Sequence, residues 1–175
     1  ILWCSRLIEK AAMKYHGIFC KADVPASVFR RWARLFLLSF LFYFSIVDFM
    51  TAKIVLNVGQ CRPDTAAITH FLTSNFGAQV INADLPGDSM TALRAQPVDL
   101  VLINRKLDAD YSDGMDILAA IKADLALAHI PVMLVSNFPE WQEKAIDAGA
   151  TYGFGKAELN STDTIDRVRG ALGLS

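Results

Sequence analysis

Asp108, Asp110 and Asp113 are three carboxylates close together, the hard oxygen donors that could hold a divalent cation. Asp113 precedes Gly114, where a turn or helix cap already uses its side chain, and the other two have no fixed partner in view. All three are read as solvated loop acids. His70 and His129 share no metal-ligand spacing with each other or with Cys61, so ordinary helix and loop histidines are expected. Cys4, Cys20 and Cys61 are odd in number, far apart and without a C-x-x-C pair, which argues against a zinc site or a disulfide framework and for a reducing compartment, the cytoplasm. Seventeen Lys+Arg against 18 Asp+Glu leave a formal net charge of -1, so nothing marks the chain for nucleic acid. Trp141 stands beside Phe138 and Pro139 at the start of a helical pattern, where it is either core or an exposed anchor for a partner.

These residues need a scaffold. The 175 residues, 53% hydrophobic and 20% charged, suffice for one ordinary domain and a modest extension. Residues 1–49 hold seven Lys/Arg and three Asp/Glu, whereas residues 50–175 hold ten and fifteen, and 11 of the 18 aromatic residues fall before Met50. A domain boundary is therefore placed at 49/50. Leu35 to Val47 is an uncharged run of 13 residues behind Arg30, Arg31 and Arg34, too short for a span that needs about 20 apolar residues. It reads as a membrane-surface or signal-anchor helix, as an extra helix packed on the domain, or as no natural part of the protein. The last is favoured, because the chain begins with Ile1 and Met50-Thr51-Ala52-Lys53 leads into a strand like an initiation site.

From there strand and helix alternate. Ile54–Val58, Gln79–Ala83, Val98–Ile103, Ile130–Val135 and Thr151–Phe154 read as short strands. The helices between them carry apolar stripes at Ile68, Phe71 and Leu72, at Ile117, Leu118, Ile121 and Leu125, and at Ile165, Val168 and Leu172. Asp88 to Arg94 is a short polar helix, Pro139 suits a first helical turn, Gly149 a helix end, and Ser161 or Thr162 a cap. Five such units predict an α/β fold, a five-stranded parallel sheet in the order 2-1-3-4-5 with helices on both faces. Functional groups are then expected at the carboxyl ends of strands 1 and 3.

Pro97-Val98-Asp99-Leu100-Val101-Leu102-Ile103-Asn104, Asp113-Gly114-Met115, His129-Ile130-Pro131-Val132-Met133-Leu134-Val135-Ser136, Gly149-Ala150 and Lys156 occur in this order. Their spacing resembles the flavodoxin-like receiver domain of bacterial response regulators over about residues 50 to 174. The resemblance implies an aspartate ending strand 3 that takes a phosphoryl group from a histidine kinase. It also implies Mg²⁺ held by that aspartate and by acids after strand 1, with a Ser/Thr and a Lys closing on the phosphate.

The phosphoacceptor position is occupied by Asn104, whose neutral carboxamide is a poor nucleophile and offers no charge to a cation. The acidic-pair region, Val58, Gly59 and Gln60, contains no acid, and the loop is a couple of residues longer than the pattern. Mg²⁺ binding is not expected, nor is any other cofactor or any catalytic residue. Ser136 and Lys156 keep the switch and pocket positions. Ser136 is read as satisfying loop backbone, and Lys156 as bonding Asn104 or strand-end carbonyls and leaving the pocket net positive. Ala157 replaces the proline after the lysine, and Gly153 stands where an aromatic switch residue is usual, flanked by Tyr152 and Phe154. Trp141, Tyr152 and Phe154 mark the face a partner would touch. The expected protein is a non-phosphorylatable pseudo-receiver of two-component signal transduction that acts by protein contact, on a histidine kinase, another regulator or a second copy of itself. Two alternatives remain. One is phosphotransfer through a substitute acid such as Asp108 or after deamidation of Asn104, and the other is a membrane-tethered adaptor held by residues 30 to 49.

Overall fold

A computed structural model describes residues 52–174. The expectations for residues 1–49, the tether included, lie outside them, as does the initiation site at Met50.

Five parallel strands, β1 (Ile54–Val58), β2 (Gln79–Ala83), β3 (Leu100–Asn104), β4 (Val132–Val135) and β5 (Thr151–Phe154), form one sheet in the order β2-β1-β3-β4-β5. Five helices connect or follow them: α1 (Arg62–Phe76), α2 (Pro86–Ala95), α3 (Gly114–Ala123), α4 (Pro139–Asp147) and α5 (Thr162–Ala171). The order of the sheet is the expected one. Among the described residues no helix is long and apolar enough to cross a membrane.

The β-branched and leucine-rich β1, β3 and β4 bury both faces, as the centre of a parallel sheet covered on each side demands, while the edge strands β2 and β5 are partly exposed. Leu56, Val58, Val101, Ile103, Val132 and Leu134 pack against α2, α3 and α4, while Val55, Leu100, Leu102, Met133 and Val135 pack against Ile68, Phe71 and Leu72 of α1 and Val168 and Leu172 of α5. Helix ends follow from local chemistry. The Asp113 carboxylate accepts from Met115 N at 3.0 Å, and the Ser161 hydroxyl from Thr164 N at 3.1 Å, each satisfying a first-turn donor. Gly77, at φ 60, closes α1 in the left-handed conformation.

Two element boundaries differ from expectation. β3 and β4 start two residues late, at Leu100 and Val132. Leu125, expected in the buried stripe of α3, is 96% exposed because the helix stops at Ala123. There the Asp124 carboxylate accepts from Ala126 N and turns the chain, and Leu127 fills the core instead.

Candidate functional site

The carboxyl ends of β1, β3, β4 and β5 open on one edge of the sheet. Asn104 ends β3 half-buried, and its Nδ2 donates to the Gly59 carbonyl at 2.9 Å. The same oxygen accepts the Asp108 backbone N–H at 3.0 Å, so one carbonyl binds the loops after β1 and β3 together. Gly59 sits at φ 69, and a Cβ there would lie 2.3 Å from Leu107 Cγ. No acidic side chain fits position 59 without displacing Leu107. Val58 points into the core, and Gln60 is 5% exposed with both its carbonyl and its amide nitrogen unpartnered. A Cβ on Gly114 would meet the Asn104 carbonyl at 2.2 Å, so the turn below the site requires glycine.

Lys156 corrects the expected pocket charge. Its ammonium pairs neither with Asn104 nor with a strand-end carbonyl but with the Asp64 carboxylate in the first turn of α1. The expectation of an unbalanced positive pocket fails because this acid lies just past the loop where acids were sought. Burial alone would raise the Asp64 pKa. Hydrogen bonds from Lys156 and from the Cys61 thiol, 3.1 Å away, together with the Lys156 charge, outweigh it and hold the carboxyl below its ordinary 3.8. Ser136, buried, accepts from Phe138 N at 3.3 Å and so does satisfy loop backbone.

On the β4–β5 side a small cavity lined by Ser136, Asn137, Tyr152 and Gly155 opens beside a buried side-chain staple. Met133 pairs with Thr151 and Val135 with Phe154, so β5 carries one extra residue between these points. Gln142 of α4 occupies the bulge. Its Nε2 donates to the carbonyls of Leu134 and Ser136 and its Oε1 accepts from Gly153 N, each at 3.1 Å. A Cβ on Gly153 would stand 2.0 Å from the Leu134 carbonyl, which explains why glycine replaces a larger residue there. The sequence offered little sign of this staple, since a glutamine on a helix ordinarily reads as surface.

The expected partner face is only partly exposed. Phe154 is a correction: it is 1% exposed and packs near Phe71, ring centroids 6.3 Å apart, because β5 turns it toward α1 and α5. Trp141 is half-buried against the core with the Arg105 guanidinium 3.7 Å and the Lys144 ammonium 4.3 Å from its ring centroid. Tyr152 is exposed, with Arg167 stacked at 4.6 Å, and Phe138 is exposed as well. Asp108 and Asp110 lie exposed in the β3–α3 loop, and a hydrogen bond from the Ser112 hydroxyl lowers the Asp110 pKa. His70 and His129 are exposed. Among the described residues no three His, Cys, Asp or Glu side chains converge as a metal ion would need.

No protein-family model and no curated protein matches the sequence. Solved structures do. The signal receiver domain of a DNA-binding response regulator from Colwellia psychrerythraea 34H is 24% identical, over 69% of this chain and 98% of that one, with a TM-score of 0.60. The chemotaxis response regulator CheY4 of Vibrio cholerae is 18% identical over 67% and 99%, at 0.56. A response regulator receiver protein from Pseudomonas putida is 17% identical over 69% and 98%, at 0.58. The fold is that of a receiver domain. Within this receiver fold, β1 runs into glycine and glutamine and β3 ends in an amide, and two sets of charges pair off beside them, Asp64 with Lys156 and Asp113 with Lys106 and Arg105.

Proposed function

We propose that this receiver-fold chain is a pseudo-receiver: it takes no phosphoryl group, needs no Mg²⁺, turns over no substrate, and acts by contact with proteins of two-component signalling in the cytoplasm. The observation that carries the reading is Asn104. An acyl phosphate forms when a carboxylate oxygen attacks phosphorus, and a carboxamide whose nitrogen is already committed to the Gly59 carbonyl supplies neither nucleophile nor charge. The nearby carboxylate, Asp64, is engaged by Lys156 and Cys61. Partners fitting the reading are a histidine kinase, another regulator or a second copy of the chain.

A second reading has one specific support. The Asp108 backbone shares the Gly59 carbonyl with Asn104, which puts an exposed acid beside the mouth as a substitute acceptor. One experiment decides between them: incubation with acetyl phosphate and Mg²⁺, read by intact mass. The pseudo-receiver gains nothing. A gain of one phosphoryl group that disappears in Asp108→Asn establishes the substitute acid and overturns the proposal.

A further inference from the structure

We propose that the groove at the amino-terminal ends of β3 and β4 receives Leu125 of a second copy of this chain and lends its own Leu125 in return, which makes a two-fold dimer. The inference rests on the contact function above and names the surface for one of its partners, the second copy. The groove, about 720 Å³, lies at the opposite end of the sheet from Asn104, between the end of α2 and the loop that follows α3. Leu93, Val98, Leu127 and Ile130 line its buried floor, and Arg94 and Asp124 stand on its rim. A lone exposed leucine needs no explanation. Leu125 differs because no large apolar side chain among the described residues is more exposed, at 96%, and because it sits between Asp124 and Ala126, which wall the groove.

Its loop is held in place from several directions. The Asp124 carboxylate accepts from Ala126 N at 3.0 Å, the Asp124 carbonyl accepts from Leu127 N and Ala128 N at 2.9 and 2.8 Å, and Lys122 Nζ donates to the carbonyls of Ala128 and Ile130 at 2.9 and 2.8 Å. An apolar knob fixed in this way loses little conformational entropy when it is covered. One patch thus supplies both knob and hole, as a two-fold interface requires, because each copy presents the same surface to the other. Charge agrees. Residues 50–175 hold fifteen acids against ten bases, so two copies of the domain repel over much of their surface. Beside the groove the acids are neutralised: Arg94 holds Asp124 at 3.3 Å, and Lys53 holds Asp99, next to Val98, at 3.0 Å. A different apolar partner would fill the groove and leave Leu125 exposed, whereas a second copy covers both.

The test is sedimentation velocity of the full 175-residue chain over a concentration series, where a monomer–dimer equilibrium is expected. Leu125→Ser should weaken it about a hundredfold, because a two-fold interface loses two leucines at once, and Arg94→Glu about tenfold, because acids then face each other across the rim. Tyr111→Ser, which removes an exposed ring in the loop after β3 at the other end of the sheet, should change it less than about twofold. Leu125 and Arg94 are both exposed, so their variants keep the fold, which circular dichroism checks. A chain that stays monomeric throughout the series, a dimer that Leu125→Ser leaves intact, or equal weakening by Tyr111→Ser overturns the proposal. The acetyl phosphate result is untouched by any of these, so the two readings fail separately.

Discussion

The two sides of the sheet's open edge treat their buried amides in different ways. On the β4–β5 side the amide is satisfied: Gln142 uses both amide hydrogens on the carbonyls of Leu134 and Ser136 and its own carbonyl on Gly153 N, and Gly153 makes room for it. On the β1 side the buried amides are left unpaired. Gln60 has both polar ends buried without partners, and so has the Asn57 carbonyl oxygen. Two buried glutamines therefore do opposite things, because a buried amide stabilises a fold only when its hydrogen bonds are returned.

Replacing each by leucine separates them. Gln142→Leu keeps the approximate volume but strands two carbonyls and one N–H, and is expected to cost about 3 kcal/mol, the largest effect among these substitutions. Gln60→Leu removes two groups that were desolvated for nothing and is expected to stabilise by about 1 kcal/mol. Urea melts of both variants measure the contrast. Equal destabilisation by the two would mean that Gln60 is satisfied by bound water and that the two sides do not differ.

What the sequence made legible divides along the same line. Continuous Val, Leu and Ile runs identified β1, β3 and β4, because a strand buried on both faces must be apolar throughout, and the repeated alternation of strand and helix supplied the order. Asn104 was legible too, since it ends such a run. The pairing of Asp64 with Lys156 was not, because 92 positions separate them and only the order of the sheet brings β5 beside α1. Phe154 and Tyr152 were assigned to one exposed face. The bulge in β5 and the packing of Phe154 on Phe71 depend on contacts with α1 and α4 that no local period encodes. Gln142 was missed for a related reason: its partners are backbone atoms, which every sequence has.

The Asp64–Lys156 pair offers the smallest effect and a sign that can be checked. The folded state holds the Asp64 carboxyl below 3.8, so between that lowered value and 3.8 the unfolded chain binds more protons than the folded one. The stabilisation is complete above 3.8 and is lost as pH falls through the lower folded value. Both side chains are about a third exposed, at 34% and 28%, so solvent screening keeps the contribution below about 1 kcal/mol. Lys156→Met should therefore lower the melting temperature by at most about a few degrees near pH 6, with the gap to the unaltered protein closing below pH 3.8 as Asp64 protonates in both. A gap that stays constant into acid would show that Lys156 acts there by packing its chain and not through its charge, and the β1 side would then differ from the β4–β5 side only in its unpaired amides.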